Sequence, residues 1–207
     1  MTLKYSVWKL ILNVPLAPFE LIHHYIRYYF NVCTINLKGR IAFCGSSIFA
    51  RWHFLSSNMS PLPVINCAIS GLTTSSLINQ CKGLNNASMI VVYCGSNDLM
   101  FGSSPEDTAK RMENFIDSHT NVPVVIISSI KSPDRRHFWD KVDQYNMRLR
   151  EIVAKMPRLR SYVDVNETIQ HNLEYFTLDG LHLTWDGMGA LGRSIKPRLD
   201  ELWDELN

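Results

Sequence analysis

The chain of 207 residues has no C-x-x-C pair, no Cys/His group at zinc-binding spacing, no excess of either charge and no long uninterrupted apolar run. Each absence narrows what the protein can be. Five cysteines, at 33, 44, 67, 81 and 94, are an odd number without a metal-site pattern, which argues against a disulfide framework and against a zinc module. Twenty-one Lys plus Arg against nineteen Asp plus Glu leave a net charge of +2, so no basic field advertises a nucleic-acid partner. The longest uncharged stretch of the apolar N-terminus, Leu10 to Phe19, is half the ~20 residues a membrane span needs, and Pro15 and Pro18 interrupt it. A signal-peptide cleavage site near Ala17 would have Pro15 two positions before it, which is unfavourable. There is no internal repeat, no low-complexity tract and no linker to a second domain of comparable size.

What is present divides into an extension, residues 1–37, and a domain, residues 38–207. Residues 5–30 are apolar and aromatic, with Lys4, Lys9 and Arg27 beside Trp and Tyr residues. Two readings fit this pattern: a helix packed on the domain or on another subunit, or an interfacial helix lying at a membrane surface. Cys44, Cys67 and Cys94 sit in or at the end of apolar runs, where reduced thiols behave as small buried hydrophobes. They point to a reducing compartment, so a cytoplasmic location is expected, with membrane-peripheral attachment as the variant.

From Lys38 onward, short apolar runs alternate with longer helix-like stretches. The runs are residues 41–44, 64–67, 89–94, 124–127 and 162–165, and none alternates cleanly between apolar and polar residues, as expected of strands covered on both faces. Ser104-Pro105-Glu106-Asp107 reads as a capping-box helix start. Phe138, Val142, Tyr145, Leu149, Ile152 and Met156 form one apolar helical face, with Asp134 as its expected N-cap. The alternation predicts a parallel five-stranded sheet with helices on both sides, an α/β protein whose ligands sit outside the carboxyl ends of the strands.

The residues just after the runs therefore bear on chemistry. They are Gly45-Ser46-Ser47, Ala68-Ile69-Ser70-Gly71, Gly95-Ser96-Asn97-Asp98 and, near the C-terminus, Asp179-Gly180-Leu181-His182. Acyl transfer needs a nucleophile, a base, a carboxylate that orients the base, and donors for an oxyanion. Ser47 is the candidate nucleophile, His182 the base and Asp179 its orienting partner, three residues away. The Ser47 N–H, the Gly71 N–H and the Asn97 amide are the candidate oxyanion donors.

Together these segments resemble the SGNH (GDSL-like) hydrolase family, named for Ser, Gly, Asn and His in four separated blocks. Ser47 matches in FCGSSIFARW, Gly71 in NCAISGLT, Asn97 in YCGSNDL, and Asp179 with His182 in DGLHLT. The likeness spans roughly residues 40–195 and implies a three-layer α/β/α sandwich with a flavodoxin-like strand order. It implies hydrolysis of a small-molecule ester through an acyl-enzyme, with no metal and no organic cofactor. The family pattern has Asp where this chain has Ser46, which leaves two adjacent serines; the match to the block and the distance to Trp52 favour Ser47.

Other features carry bland readings. Gly187-Met188-Gly189-Ala190-Leu191-Gly192 is a literal G-x-G-x-x-G, but no strand precedes it, so helix entry and close packing explain it. Asp134-Arg135-Arg136-His137 is a second D-x-x-H whose basic residues read as solvated, and His23 and His24 read as surface or packed histidines. The lack of G-x-S-x-G argues against an α/β-hydrolase proper. The alternatives to ester hydrolysis are transfer to an acceptor other than water, or a non-catalytic binding module that keeps the fold.

Overall fold

The computed structural model describes residues 17–156 and 160–206. Five strands, β1 (Ile41–Gly45), β2 (Val64–Asn66), β3 (Met89–Tyr93), β4 (Val124–Ile127) and β5 (Arg160–Val163), form one sheet in the order β2-β1-β3-β4-β5. Every pairing is parallel. Consecutive residues on the central strands face opposite cores. Ile41, Phe43, Met89, Val91, Val125 and Ile127 pack with Trp52, Leu191, Ile195 and Leu199 on one side. Ala42, Cys44, Ile90, Val92, Val124 and Ile126 pack with Leu77, Met112, Phe115, Tyr145 and Leu149 on the other. Both faces of the sheet are thus buried, which is why the strands read as unbroken apolar runs.

The helices follow from local signals. α1 (Ala17–Thr34) precedes the sheet, and α2 (Ser47–Ala50) and α3 (Leu55–Met59) follow β1. α4 (Thr74–Gln80) follows β2, with a capping box between Thr73 and Ser76. α5 (Ser96–Met100) and α6 (Pro105–Asp117) follow β3. As predicted, the Ser104 side chain accepts from the Asp107 N–H at 3.0 Å with Pro105 at the first helical position. α7 (Trp139–Ala154) buries Val142, Tyr145 and Leu149, the expected apolar face. α8 (Asn166–Ile169) and α9 (Trp185–Leu206) complete the fold. In α9, Gly187 abuts the Tyr175 backbone and Gly192 lies against Asn58 and Trp52, so two of the three glycines of the G-x-G-x-x-G serve close packing.

Two expectations are corrected. The last strand runs over Arg160–Val163, two residues earlier than its apolar run. It is an edge strand, where Arg160 is half-buried opposite Val124 and the buried Ser161 hydroxyl opposite Val125 accepts from Arg198 Nε at 2.9 Å. Asp134 is not the N-cap of α7: Pro133–Phe138 form a 3-10 turn that begins just after Ser132, and α7 starts at Trp139. Within the described residues, Cys44, Cys67, Cys81 and Cys94 are buried free thiols, as expected for Cys44, Cys67 and Cys94. Of the expected extension, residues 1–16 lie outside the described residues.

One buried polar cluster braces the carboxyl edge of the sheet. Asp98, almost fully buried, accepts from the Thr74 N–H at 2.9 Å and the Thr74 hydroxyl at 2.6 Å, and its other partner is Arg111 at 3.2 Å. It ties α4, α5 and α6 together one residue from Asn97. Asp98→Ala leaves Arg111 and two Thr74 donors without their acceptor, and we expect a loss of about 2–4 kcal/mol, moderated because Arg111 is partly exposed. Urea denaturation measures it; a midpoint shift worth less than about 1 kcal/mol would refute the bracing role.

Candidate active site

The site lies at the carboxyl ends of β1, β2 and β3, where the chain leaves the sheet. At the end of β1, Gly45 has φ +127° and pairs with Tyr93, and a Cβ there would land on the Tyr93 carbonyl. Only glycine allows the turn that follows. Ser46 donates its N–H to the Tyr93 carbonyl at 2.9 Å and is buried, whereas Ser47 opens α2 facing the cleft, half-buried.

The D-x-x-H segment is clamped between the 3-10 turn Leu173–Tyr175 and α9. An antiparallel bridge joins Phe176 to Leu183, and the Thr177 N–H donates to the His182 carbonyl at 2.8 Å. Gly180, at φ +61°, sits against Asp134, which occupies the space a Cβ would need. The second D-x-x-H thus supports the first by contact, and its His137 has no part in the cluster.

Three predicted residues meet directly. His182 Nε2 lies 2.9 Å from Ser47 Oγ, and His182 Nδ1 lies 2.6 Å from Asp179 Oδ2. Asp179 Oδ1 also accepts from the Thr177 hydroxyl at 2.6 Å and from the backbone N–H groups of Leu181 (2.9 Å) and His182 (3.0 Å). Burial pushes the Asp179 carboxyl up. Donation from the His182 ring, the Thr177 hydroxyl and the two backbone N–H groups outweighs it, and the net is a pKa well below the usual carboxylate range. With Asp179 ionised, the ring proton belongs on Nδ1, which leaves Nε2 free to accept from Ser47. Arg51, 4.0 Å from Asp179, adds positive charge.

Asn97 lies in the first turn of α5, after β3. One of its amide hydrogens goes to the Leu72 carbonyl at 2.9 Å, which joins its loop to the turn carrying Gly71. Gly71 sits exposed in that turn with φ +79°. Asn97 and Ser47 line the same cavity, about 40 Å³ in volume, together with Met100, Arg135, Phe138, Trp139 and Leu181; Gly71 is not among its lining residues. A second, open groove of about 560 Å³ lies beyond Arg51 and Thr177, walled by His23 and His24 of α1 and by Trp52, Phe54 and Trp185.

Sequence reasoning missed Thr177 and the Asp98 cluster. Thr177 had a faint signal, a hydroxyl two residues before the aspartate, at the spacing of a local side-chain turn. Arg135, read from the sequence as solvated, is brought to the cavity by the 3-10 turn. No cluster of three or more metal-ligating side chains occurs among the described residues.

A parallel five-stranded α/β/α sandwich that carries Ser, Asn and D-x-x-H at its carboxyl edge defines the SGNH class of hydrolase folds. More narrowly, the chain belongs to the GDSL-like lipase/acylhydrolase family, whose sequence profile matches residues 41–190. No match is found among the curated proteins. Similar solved structures include a Streptococcus pneumonia protein provisionally described as a platelet activating factor, with TM-score 0.74 and 20% identity over 94% of this chain and 98% of that one. Others are a carbohydrate esterase family 3 protein from Talaromyces cellulolyticus (TM-score 0.65, 15% identity, 81% and 99% covered) and a lipolytic G-D-S-L family member from Veillonella parvula DSM 2008 (0.65, 16%, 75% and 95%). At these identities the likeness speaks to the fold.

Proposed function

We propose that the protein hydrolyses carboxylic esters of short acyl groups through an acyl-enzyme on Ser47. The observation that carries this reading is the unbroken relay from Ser47 Oγ through the His182 ring to an ionised Asp179, at 2.9 and 2.6 Å. Ser47 Oγ attacks the ester carbonyl carbon as its proton passes to His182 Nε2. The oxyanion forms beside the Ser47 N–H, the Gly71 N–H and the second amide hydrogen of Asn97. Collapse expels the alcohol, which takes the proton from His182, and water then repeats the sequence to release the acid.

The leaving alcohol must lie on the His182 side, because His182 protonates it. The acyl group therefore turns toward the 40 Å³ cavity that Ser47 and Asn97 share. The cavity is small and walled by Phe138 and Trp139, which fits a short acyl chain. Longer chains would have to displace Phe138 and Trp139, and overpacking of this kind costs about 1–3 kcal/mol.

The test is kcat/KM across p-nitrophenyl acetate, butyrate and octanoate. Acetate and butyrate should be turned over, octanoate about 10- to 100-fold less well, and Trp139→Ala should narrow that gap. Octanoate preferred over acetate by the wild type would refute the short-acyl reading, and a folded protein inert to all three would refute ester hydrolysis.

A further inference from the structure

Helix α1 is amphipathic in a reversed sense. His24, Arg27, Tyr28 and Asn31 face the domain. Arg27 donates to the Ala50 carbonyl at 2.9 Å and the Ala68 carbonyl at 3.2 Å, and Asn31 donates to the Asn66 carbonyl at 2.8 Å. Tyr25 and Val32 pack against the core beside them. The exposed described residues of α1 are Phe19, Ile22, His23, Ile26, Tyr29 and Phe30, and all but His23 are large and apolar, between 55% and 72% exposed. At 100° per residue these five fall within about 100° of arc, a continuous apolar stripe pointing away from the protein. A stripe of this kind marks a surface meant to be covered.

The charge distribution indicates what covers it. Residues 1–40 hold five basic residues, Lys4, Lys9, Arg27, Lys38 and Arg40, against the single acid Glu20, a net of +4, while the remaining chain carries −2 to give the total of +2. Lys38 and Arg40 are exposed just beyond the end of α1. A second copy would bring two such positive segments together, which opposes association. Residues 1–16 would cover the stripe only by offering another surface rich in Val, Trp, Leu and Ile. An anionic lipid surface satisfies both features, because it receives the apolar stripe and attracts the basic flanks.

We propose that α1 docks this protein on anionic lipid bilayers, lying in the interface with Phe19, Ile22, Ile26 and Tyr29 inserted. No helix among the described residues is long and apolar enough to cross a membrane, so the attachment is peripheral. The same helix walls the 560 Å³ groove through His23 and His24, opposite the exposed Phe54 and Trp185, whose rings are 4.4 Å apart. Docking therefore sets the groove mouth beside the lipid headgroups.

The experiment is co-sedimentation of the full chain with vesicles of phosphatidylcholine alone and of phosphatidylcholine mixed with phosphatidylglycerol. Binding should be at least about tenfold stronger to the anionic vesicles, should weaken as salt rises, and should drop about tenfold or more in Ile22→Ser/Ile26→Ser. Turnover of a soluble p-nitrophenyl ester should be unchanged in that variant, which shows that the fold is intact; vesicle binding is read separately, so an inactive protein still tests the docking. Failure of the wild type to bind anionic vesicles would overturn the proposal, as would light scattering that finds a wild-type dimer which Ile22→Ser/Ile26→Ser dissociates, because a second copy would then be the occupant.

Discussion

Ser47→Ala should abolish ester turnover, lowering kcat by roughly 10⁴- to 10⁶-fold, while Ser46→Ala should keep activity within about tenfold of wild type. The two serines are neighbours in sequence and differ in where their side chains sit. Ser47 Oγ is 2.9 Å from His182 Nε2, whereas Ser46 is buried at the turn and tied through its N–H to Tyr93. Nothing else in the relay replaces a lost nucleophile, so the effect is close to the full contribution of the covalent route. A fluorophosphonate probe gives an independent readout, since it should label wild type and Ser46→Ala but not Ser47→Ala. Equal labelling of wild type and Ser47→Ala would overturn the assignment.

Asp179→Asn should lower kcat by about 10⁴-fold with little change in fold. An amide in place of the carboxylate no longer holds the His182 proton on Nδ1 by charge, so Nε2 is not kept free to accept from Ser47. The same substitution has a stability signature whose sign follows from the depressed pKa. Folding favours the ionised Asp179, so its contribution is fully present above the unfolded-state value near ~3.9 and disappears as pH falls through the lower folded-state value. Wild type should therefore exceed Asp179→Asn in stability most at neutral pH, and the gap should close on acidification. Urea denaturation at neutral and acidic pH measures it; a gap that does not change with pH would contradict an ionised Asp179 in the folded protein.

Much of this could be read in the sequence because the relevant signals are local. Unbroken apolar runs at residues 41–44, 89–94 and 124–127 declare strands buried on both faces, and the parallel order follows from the helices between them. The Asp179 and His182 pair is legible because a short turn brings residues three apart into contact. What escaped depends on partners distant in sequence. Nothing near Asp98 announces that Thr74 and Arg111 will surround it, and the basic run at 135–136 does not reveal that a 3-10 turn swings Arg135 toward the cavity. The apolar and aromatic composition of residues 5–30 suggests a packed or interfacial helix, but not which face it turns inward. That was decided by backbone carbonyls of Ala50, Asn66 and Ala68, which recruit Arg27 and Asn31 and leave the aromatic face outside.

The thiols of the sheet region bear on how the molecule could be watched in solution. Burial lifts Cys67 to about 12 and holds Cys44 and Cys94 well above the ordinary thiol value, so at neutral pH almost none of them is the reactive thiolate. In a Cys33→Ser background, an alkylating reagent would gain access only when the molecule opens. The mass added at Cys44, in the inner strand β1 that leads to Ser47, would then serve as a covalent stopwatch for the breathing of the hydrolase core.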